Sequence, residues 1–281
     1  MTGPAQDGGI TVAAGPVSVL HRLALAVRPV DARTNGSAYG VRVGRETGAP
    51  AGRVLPLESH GATGAVLRYG EAGVRSRRVL VRLDDPARRW VPRRLTVPLW
   101  TRAEVAGADN RPPTLGYVPA PSRLLRPWLL PGPAYPVARG VTGIRLRVTY
   151  LGMPVRWPRV EAFGPGGLRV GYAHGDEYGQ VLLLVESTGA LPPPTPSTFP
   201  IALRSHIPDP ALAAPTSGLD PLADLAVESI ARSAAPPAPQ DLDNEVLRGI
   251  TPPPGYRTAA QDVIRTLTVG QLVLAADLPH V

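Results

Sequence analysis

The chain has no cysteine and no lysine. The first absence excludes structural disulfides and every thiolate metal site. The second excludes Schiff-base and lysine general-base chemistry, and makes all 30 basic residues planar guanidiniums suited to bidentate pairing. Aromatic residues supply only 5% of the chain, so cores must be packed from Val, Leu, Ile and Ala. No stretch reaches the roughly 18 uninterrupted apolar residues of a membrane-spanning helix. Met1–Ile10 lacks the basic and apolar regions of a signal peptide, so a cytoplasmic protein without a membrane span is expected. Present in excess are 35 prolines and 30 glycines among 281 residues. Proline interrupts helix interiors and central strands, which favours short strands, turns and edges over long helices.

Charge is divided along the chain. Residues 1–159 carry 24 arginines against 9 acidic residues, a net of +15. Residues 160–281 carry 6 against 13, a net of −7. A basic body and an acidic C-terminal part can meet within one chain, meet between neighbouring chains, or stand as two solvated surfaces. The densest basic stretch contains Arg75, Arg77, Arg78, Arg82, Arg88, Arg89, Arg93 and Arg94. Nucleic acid is not the expected partner: no recognition motif is present, and Trp90 is the only aromatic inside the cluster. In Val79-Leu80-Val81-Arg82-Leu83 the arginine alternates with apolar residues, as on the solvent face of a strand.

Strand signals recur along the first 205 residues. Leu23, Leu25 and Val27 alternate, followed by an Asp31–Gly36 turn, then Tyr39–Arg45, Ala65–Tyr69, Arg78–Leu83 and Arg94–Leu99. Short strands separated by turn residues indicate a sandwich or barrel. The Gly- and Pro-rich stretch 106–121 reads as a linker. Beyond it, Ile144, Leu146 and Val148 alternate with polar residues. Gly152-Met-Pro154, Gly164–Gly167 and His174–Gly179 mark turns. Val181–Val185 is a continuous apolar run suited to a strand buried on both faces.

The order Gly143-Ile-Arg-Leu-Arg-Val148, Gly152-Met-Pro-Val155, Arg159-Val-Glu-Ala162, then Asp176-Glu-Tyr-Gly179 into Val181–Val185 resembles the carboxypeptidase regulatory-like (transthyretin-like) domain over about 60 residues. It departs from that pattern at Gln180-Val181, where an aromatic usually follows the glycine. The resemblance implies a small seven-stranded sandwich used as a spacer or adhesion module, with no catalytic residues. Combined with such a sandwich, the segment Leu83–Leu95 is also similar to accessory proteins of phage-tail-like contractile injection systems, which implies a place in the baseplate, cap or sheath-associated layer.

The C-terminal part changes character. Residues 191–196 read as a polyproline II-like spacer. Asp220–Arg232 reads as a short helix with Leu222, Leu225 and Ile230 on one face. Asp241–Leu247 adds another turn or two, Thr258–Leu267 reads as helical, and Leu272–Ala275 as a short strand. None of these pieces can bury its own apolar face, so docking is expected.

The expected fold is mainly β. Two small β-sandwich-like domains, 1–105 and 122–205, flank the linker and precede an extended, partly helical arm, 206–281. The five histidines follow no metal-binding spacing. His174, Asp176 and Glu177 read as a solvated turn, and no nucleophile elbow, phosphate loop or dinucleotide fingerprint occurs. No catalytic residue, metal or cofactor is expected, and no small-molecule substrate. The expected partners are other protein subunits of one assembly, reached through Arg75, Arg77, Arg78, Arg88, Arg89, Arg93, Arg94, Leu222, Leu225, Ile230, Val263 and Ile264. The alternative is a glycan- or cell-wall-binding module, for which Trp90, Trp100, Trp128 or Trp157 would have to be exposed.

Overall fold

A computed structural model describes residues 23–47, 53–69, 77–109, 118, 123–185, 196–212, 220–231 and 244–281. Arg75, most of the 106–121 stretch, residues 191–195 and 241–243 lie outside the described residues. The fold is mainly β, with two short α-helices among the described residues. No described helix is long and apolar enough to cross a membrane.

The first half contributes β1 (Leu23–Val27), β2 (Val30–Asp31), β3 (Arg42–Thr47), β4 (Arg53–Pro56), β5 (Glu58–His60), β6 (Gly64–Arg68), β7 (Arg78–Asp84) and β8 (Arg93–Pro98). A helix, α1 (Arg102–Asp109), opens the stretch read as a linker. Thr101 and Glu104 form its capping box: the Glu104 N–H donates to Thr101 Oγ1 at 3.1 Å, and the Thr101 N–H donates to the Glu104 carboxylate at 2.6 Å. Strands β9 (Leu124–Leu125) and β10 (Trp128–Leu129) then run parallel to β1 and β2. The first sandwich thus draws in residues expected to belong to the second. Leu25, Leu67, Val81, Leu83 and Leu95, each under 1% exposed, fill the space between sheet β5-β6-β1-β9 and the sheet containing β8-β7-β3-β4.

The second half contributes β11 (Gly143–Tyr150), β12 (Met153–Pro154), β13 (Arg159–Phe163), β14 (Arg169–His174), β15 (Gln180–Leu184) and β16 (Thr198–Pro208). The alternation read in β11 is realised, with Ile144, Leu146 and Val148 in the core. Every residue from Val181 to Val185 is buried, as a strand covered on both faces requires. Gly179, at φ +74°, closes the turn into β15 where a Cβ would meet the Val155 and Val148 carbonyl oxygens at 2.7 and 2.9 Å.

The C-terminal part departs most from expectation. Residues 220–231 are not a helix. Asp220 caps a turn by accepting the Leu222 N–H, and β17 (Val227–Ser229) then pairs in parallel with β8 at the open edge of the first sandwich. An isolated helix of this length is marginal, whereas β8 offers unpaired backbone and two arginines. Residues 258–267 are not helical either. They form β18 (Tyr256–Thr258) and β19 (Val263–Thr268), both antiparallel to β16. Val263, Ile264, Thr266 and Thr268 are β-branched, and the β16 edge gives them a ladder to join. Between β17 and β18, α2 (Glu245–Arg248) is a true helical turn. The Asn244 side chain accepts from the Val246 and Leu247 N–H groups, and Gly249 closes it in the left-handed conformation. Finally β20 (Leu272–Leu274) and β21 (Leu278–Pro279) run parallel to β11. The described residues after 205 therefore dock on their own chain, adding strands to a sheet in each sandwich.

Candidate functional site: the charged junction

Along the strap of residues 220–231, carboxylates recur every fourth residue, and each enters an arginine socket. Asp220 takes a bidentate pair from Arg82 at 2.8 and 2.7 Å. Arg82 and Arg94 are directly opposed on β7 and β8, and Glu46 of β3 binds both guanidiniums. Arg94 also donates to the Ala223 and Leu225 carbonyls at 3.1 and 2.7 Å. These two arginines are thus covered by the strap, not solvated as the alternation suggested. Asp224 accepts from Trp157 Nε1 at 3.0 Å and from Arg156 of the second sandwich.

The third socket lies deepest. Arg93 shares the inward face of β8 with Leu95 and Val97 and is completely buried. All five of its N–H donors are taken. Nε and Nη2 grip Glu228 at 2.9 and 2.6 Å, Nη1 reaches the Trp128 and Leu247 carbonyls at 2.8 and 2.7 Å, and Nη2 also meets the Val246 carbonyl. Glu228 then bonds Arg159 of β13 at 3.1 Å, so one carboxylate joins the two sandwiches. His174, across the strand pair from Arg159, approaches the Gly249 carbonyl with Nε2 at 2.7 Å. Tyr256 donates to the Trp157 carbonyl at 2.7 Å, and its burial pushes the phenol up to about 12.

The electrostatics of this cluster are uneven. Burial is the largest influence on Glu228 and opposes its charge, yet Arg93 and Arg159 together hold the carboxyl below its ordinary value. Burial also dominates at Arg159, and pulls its guanidinium down despite Glu228. Two cations share one carboxylate, Arg159 also faces the Tyr256 phenol, and His174 Nδ1 is buried without a hydrogen-bond partner among the described residues. A buried pair of this kind need not stabilise more than apolar packing would, but breaking it leaves an uncompensated charge.

The twelve sequence-derived contact residues separate into distinct groups. Arg93, Arg94 and Leu225 are engaged inside the chain, and Leu222 and Ile230 are half-buried, Ile230 against the first core. Val263 packs on the second core. Arg88 crosses the junction to Asp176 at 2.7 Å, and Arg89 is held by Asp85. Arg77, Arg78 and Ile264 are exposed. Arg75 lies outside the described residues. Sequence reading missed Glu46, Arg159, Asp220, Asp224 and Glu228, although the four-residue spacing of the last three and the Arg93-Leu95-Val97 alternation were both visible signals.

Other candidates resolve as structure. The 174–179 turn is solvated at Tyr178, but His174 and Asp176 are buried within it: Asp176 accepts from the Tyr178 and Gln180 N–H groups as well as from Arg88. A cleft of about 220 Å³ above the junction includes Asp84, Asp85, Trp90, Asp176 and Glu177, and Asp85 and Asp176 are engaged in this way. Ser205 Oγ and His280 Nδ1 lie 2.9 Å apart, but both residues are buried, which makes the pair a core hydrogen bond. Among the described residues no group of His, Asp and Glu is placed to hold a metal ion. No protein-family model, curated protein or solved structure matches the chain.

Acid should loosen this junction in a defined window. Glu46, Asp220 and Glu228 are all held below their ordinary values of 4.5, 3.8 and 4.5. A lowered folded-state value means that the unfolded chain binds protons first as pH falls. Their contribution is complete above the ordinary values and lost as pH drops through the lowered ones. Urea midpoints measured between pH 7 and pH 2 should therefore fall more steeply in wild type than in a Glu228→Gln variant below about pH 4.5.

Proposed function

We propose that this chain is a non-enzymatic structural or adaptor subunit of a multi-protein assembly, in the baseplate or cap region of a phage-tail-like contractile injection particle. Two features support a scaffold. The charged junction and the docked C-terminal strands tie two sandwiches together, as a load-bearing spacer needs. The observation that carries the reading is the hairpin tip between β11 and β12. Leu151 is 83% exposed and Met153 69%. Leu151 also adopts φ +50°, a left-handed conformation that costs an L-residue roughly 1–2 kcal/mol. The positive φ at Leu151 and Gly152 closes the two-residue hairpin loop between Tyr150 and Met153. The turn does not need apolar side chains in solvent, however, and an exposed leucine beside an exposed methionine suits insertion into a partner's apolar pocket. Tyr178, from the neighbouring turn, is exposed as well. Such a subunit would act in the cytoplasm, where the particle assembles. The resemblance to a regulatory-like sandwich fits the same role.

The glycan alternative finds less support. Trp90 and Trp157 are buried, and the Arg248 guanidinium lies 4.7 Å from the centre of the Trp128 ring. Cryo-EM of the endogenous complex, isolated through a tag on the full chain, tests the proposal. The expected result is a tail-like particle with the two-sandwich body at one end and the Leu151–Met153 tip buried on a neighbour. A Leu151→Ser, Met153→Ser variant should fold normally and be lost from the particle. Recovery of the chain only as a free monomer, or full incorporation of that variant, would contradict it.

A further inference from the structure

His174 stands at the end of β14 among groups from every element that meets the junction. Arg159 on β13 is its cross-strand neighbour, and Arg93 on β8 lies just beyond Gly249. Glu228 on β17 bridges those two arginines. Tyr172 shares its strand and donates to the Arg248 carbonyl of α2. The Arg248 side chain itself turns towards Trp128. Beyond Arg159 stand Tyr256 and the His206–Glu161 pair. His174 is 1% exposed. The Gly249 carbonyl can only accept, so Nε2 carries the imidazole proton, and Nδ1 is an acceptor without a donor.

A second proton on this ring would place a third cation beside two guanidiniums that already share one carboxylate. The new Nδ1–H would have no acceptor. The ring packs directly on Gly249, where a Cβ would lie 2.8 Å from His174 Cε1. Displacement of the ring removes the contact that seats Gly249, the residue closing α2. The carbonyls of that same turn, at Val246 and Leu247, hold Arg93 onto Glu228.

We propose that His174 is an acid-operated latch: its protonation ejects the ring, opens α2 and frees the strap of residues 220–231 from the junction. The state with the latch closed binds one proton fewer than the open state. Closure is therefore complete above the ordinary imidazole range near pH 6.5 and weakens as pH falls below it. This window lies above the one in which the strap carboxylates titrate. In an assembly subunit, such a latch would make the clamp between the sandwiches, and the surface under the strap, responsive to mild acid.

Hydrogen exchange of the full chain, corrected for the intrinsic pH dependence of exchange, tests the latch. In the wild type, the opening equilibrium reported by amides of β17 and of residues 246–250 should rise about 16-fold between pH 6.5 and pH 5. His174→Gln, whose amide can still donate to Gly249, should show no such rise. A flat wild-type profile, or an equal rise in the variant, would overturn the proposal. If the variant does not fold, imidazole NMR of the wild type decides: His174 should take up its proton only as β17 loses protection. A His174 that titrates while β17 stays protected would equally rule the latch out.

Discussion

Replacement of Glu228 by alanine is expected to destabilise the protein by about 3–5 kcal/mol, the cost of leaving one side of a buried ion pair uncompensated. The magnitude belongs at the upper end for three reasons. Glu228 is 1% exposed, it is the one carboxylate that Arg93 and Arg159 share, and Arg93 has no route to water from inside the first sandwich. Glu228→Gln keeps the shape and some of the hydrogen bonds but not the charge, so it should fall between alanine and the wild type. Denaturant titration of the three proteins at pH 7 gives the order. Equal stability of Glu228→Ala and the wild type would mean that the strap does not occupy the junction in solution. By comparison, exposed pairs such as Arg68–Glu58 and Arg147–Asp277 are screened by solvent, and removing one of them should barely move the unfolding midpoint.

A chain ending at Leu212 should fail to unfold cooperatively at all. The truncation removes β17 from the first sandwich and β18, β19, β20 and β21 from the second. It takes Leu247 out of the first core and Leu267 and Leu278 out of the second, all three 1% exposed or less. Each buried leucine lost costs about 2–5 kcal/mol. Three of them already match the roughly 5–15 kcal/mol that holds a typical domain together. The strap carboxylates go as well, stranding Arg93 and Arg159. Circular dichroism of the truncated chain should show a broad, non-sigmoidal melt, and a sharp transition at the wild-type midpoint would show that the C-terminal part is an appendage after all.

Much of the fold was legible where one strand carried its own pattern. The alternations of β8 and β11 and the apolar run of β15 follow from side chains pointing to opposite faces, a local property. The charge division was legible too, but its meaning was not. Arg93 and Glu228 are 135 residues apart, and nothing local to either marks the other as its partner. The misread helices have a related cause. At 220–232 the apolar spacing fits a helix, but the vacant edge of β8 and the two arginines behind it decide the outcome. At 258–267 the β-branched residues favoured a strand, and the edge of β16 supplied its partner. In both places long-range backbone pairing overrides local preference. The opening arginine cluster shows the same effect at the level of function. Read alone, Arg93 and Arg94 belong to a basic surface, whereas in the fold they are internal counterions of the strap.

Two sandwiches and the C-terminal strands form one interlocked body within a single chain. Urea unfolding of the monomer, followed in parallel by tryptophan fluorescence and far-UV circular dichroism at two protein concentrations tenfold apart, tests it most directly. Of the four tryptophans, Trp157 sits in the junction through its bond to Asp224. A variant with phenylalanine at Trp90, Trp100 and Trp128 makes fluorescence report there, while circular dichroism reports on strands throughout. One body predicts coincident transitions with a midpoint independent of concentration. A junction signal lost well before the strands, or a midpoint that rises with concentration, would contradict it.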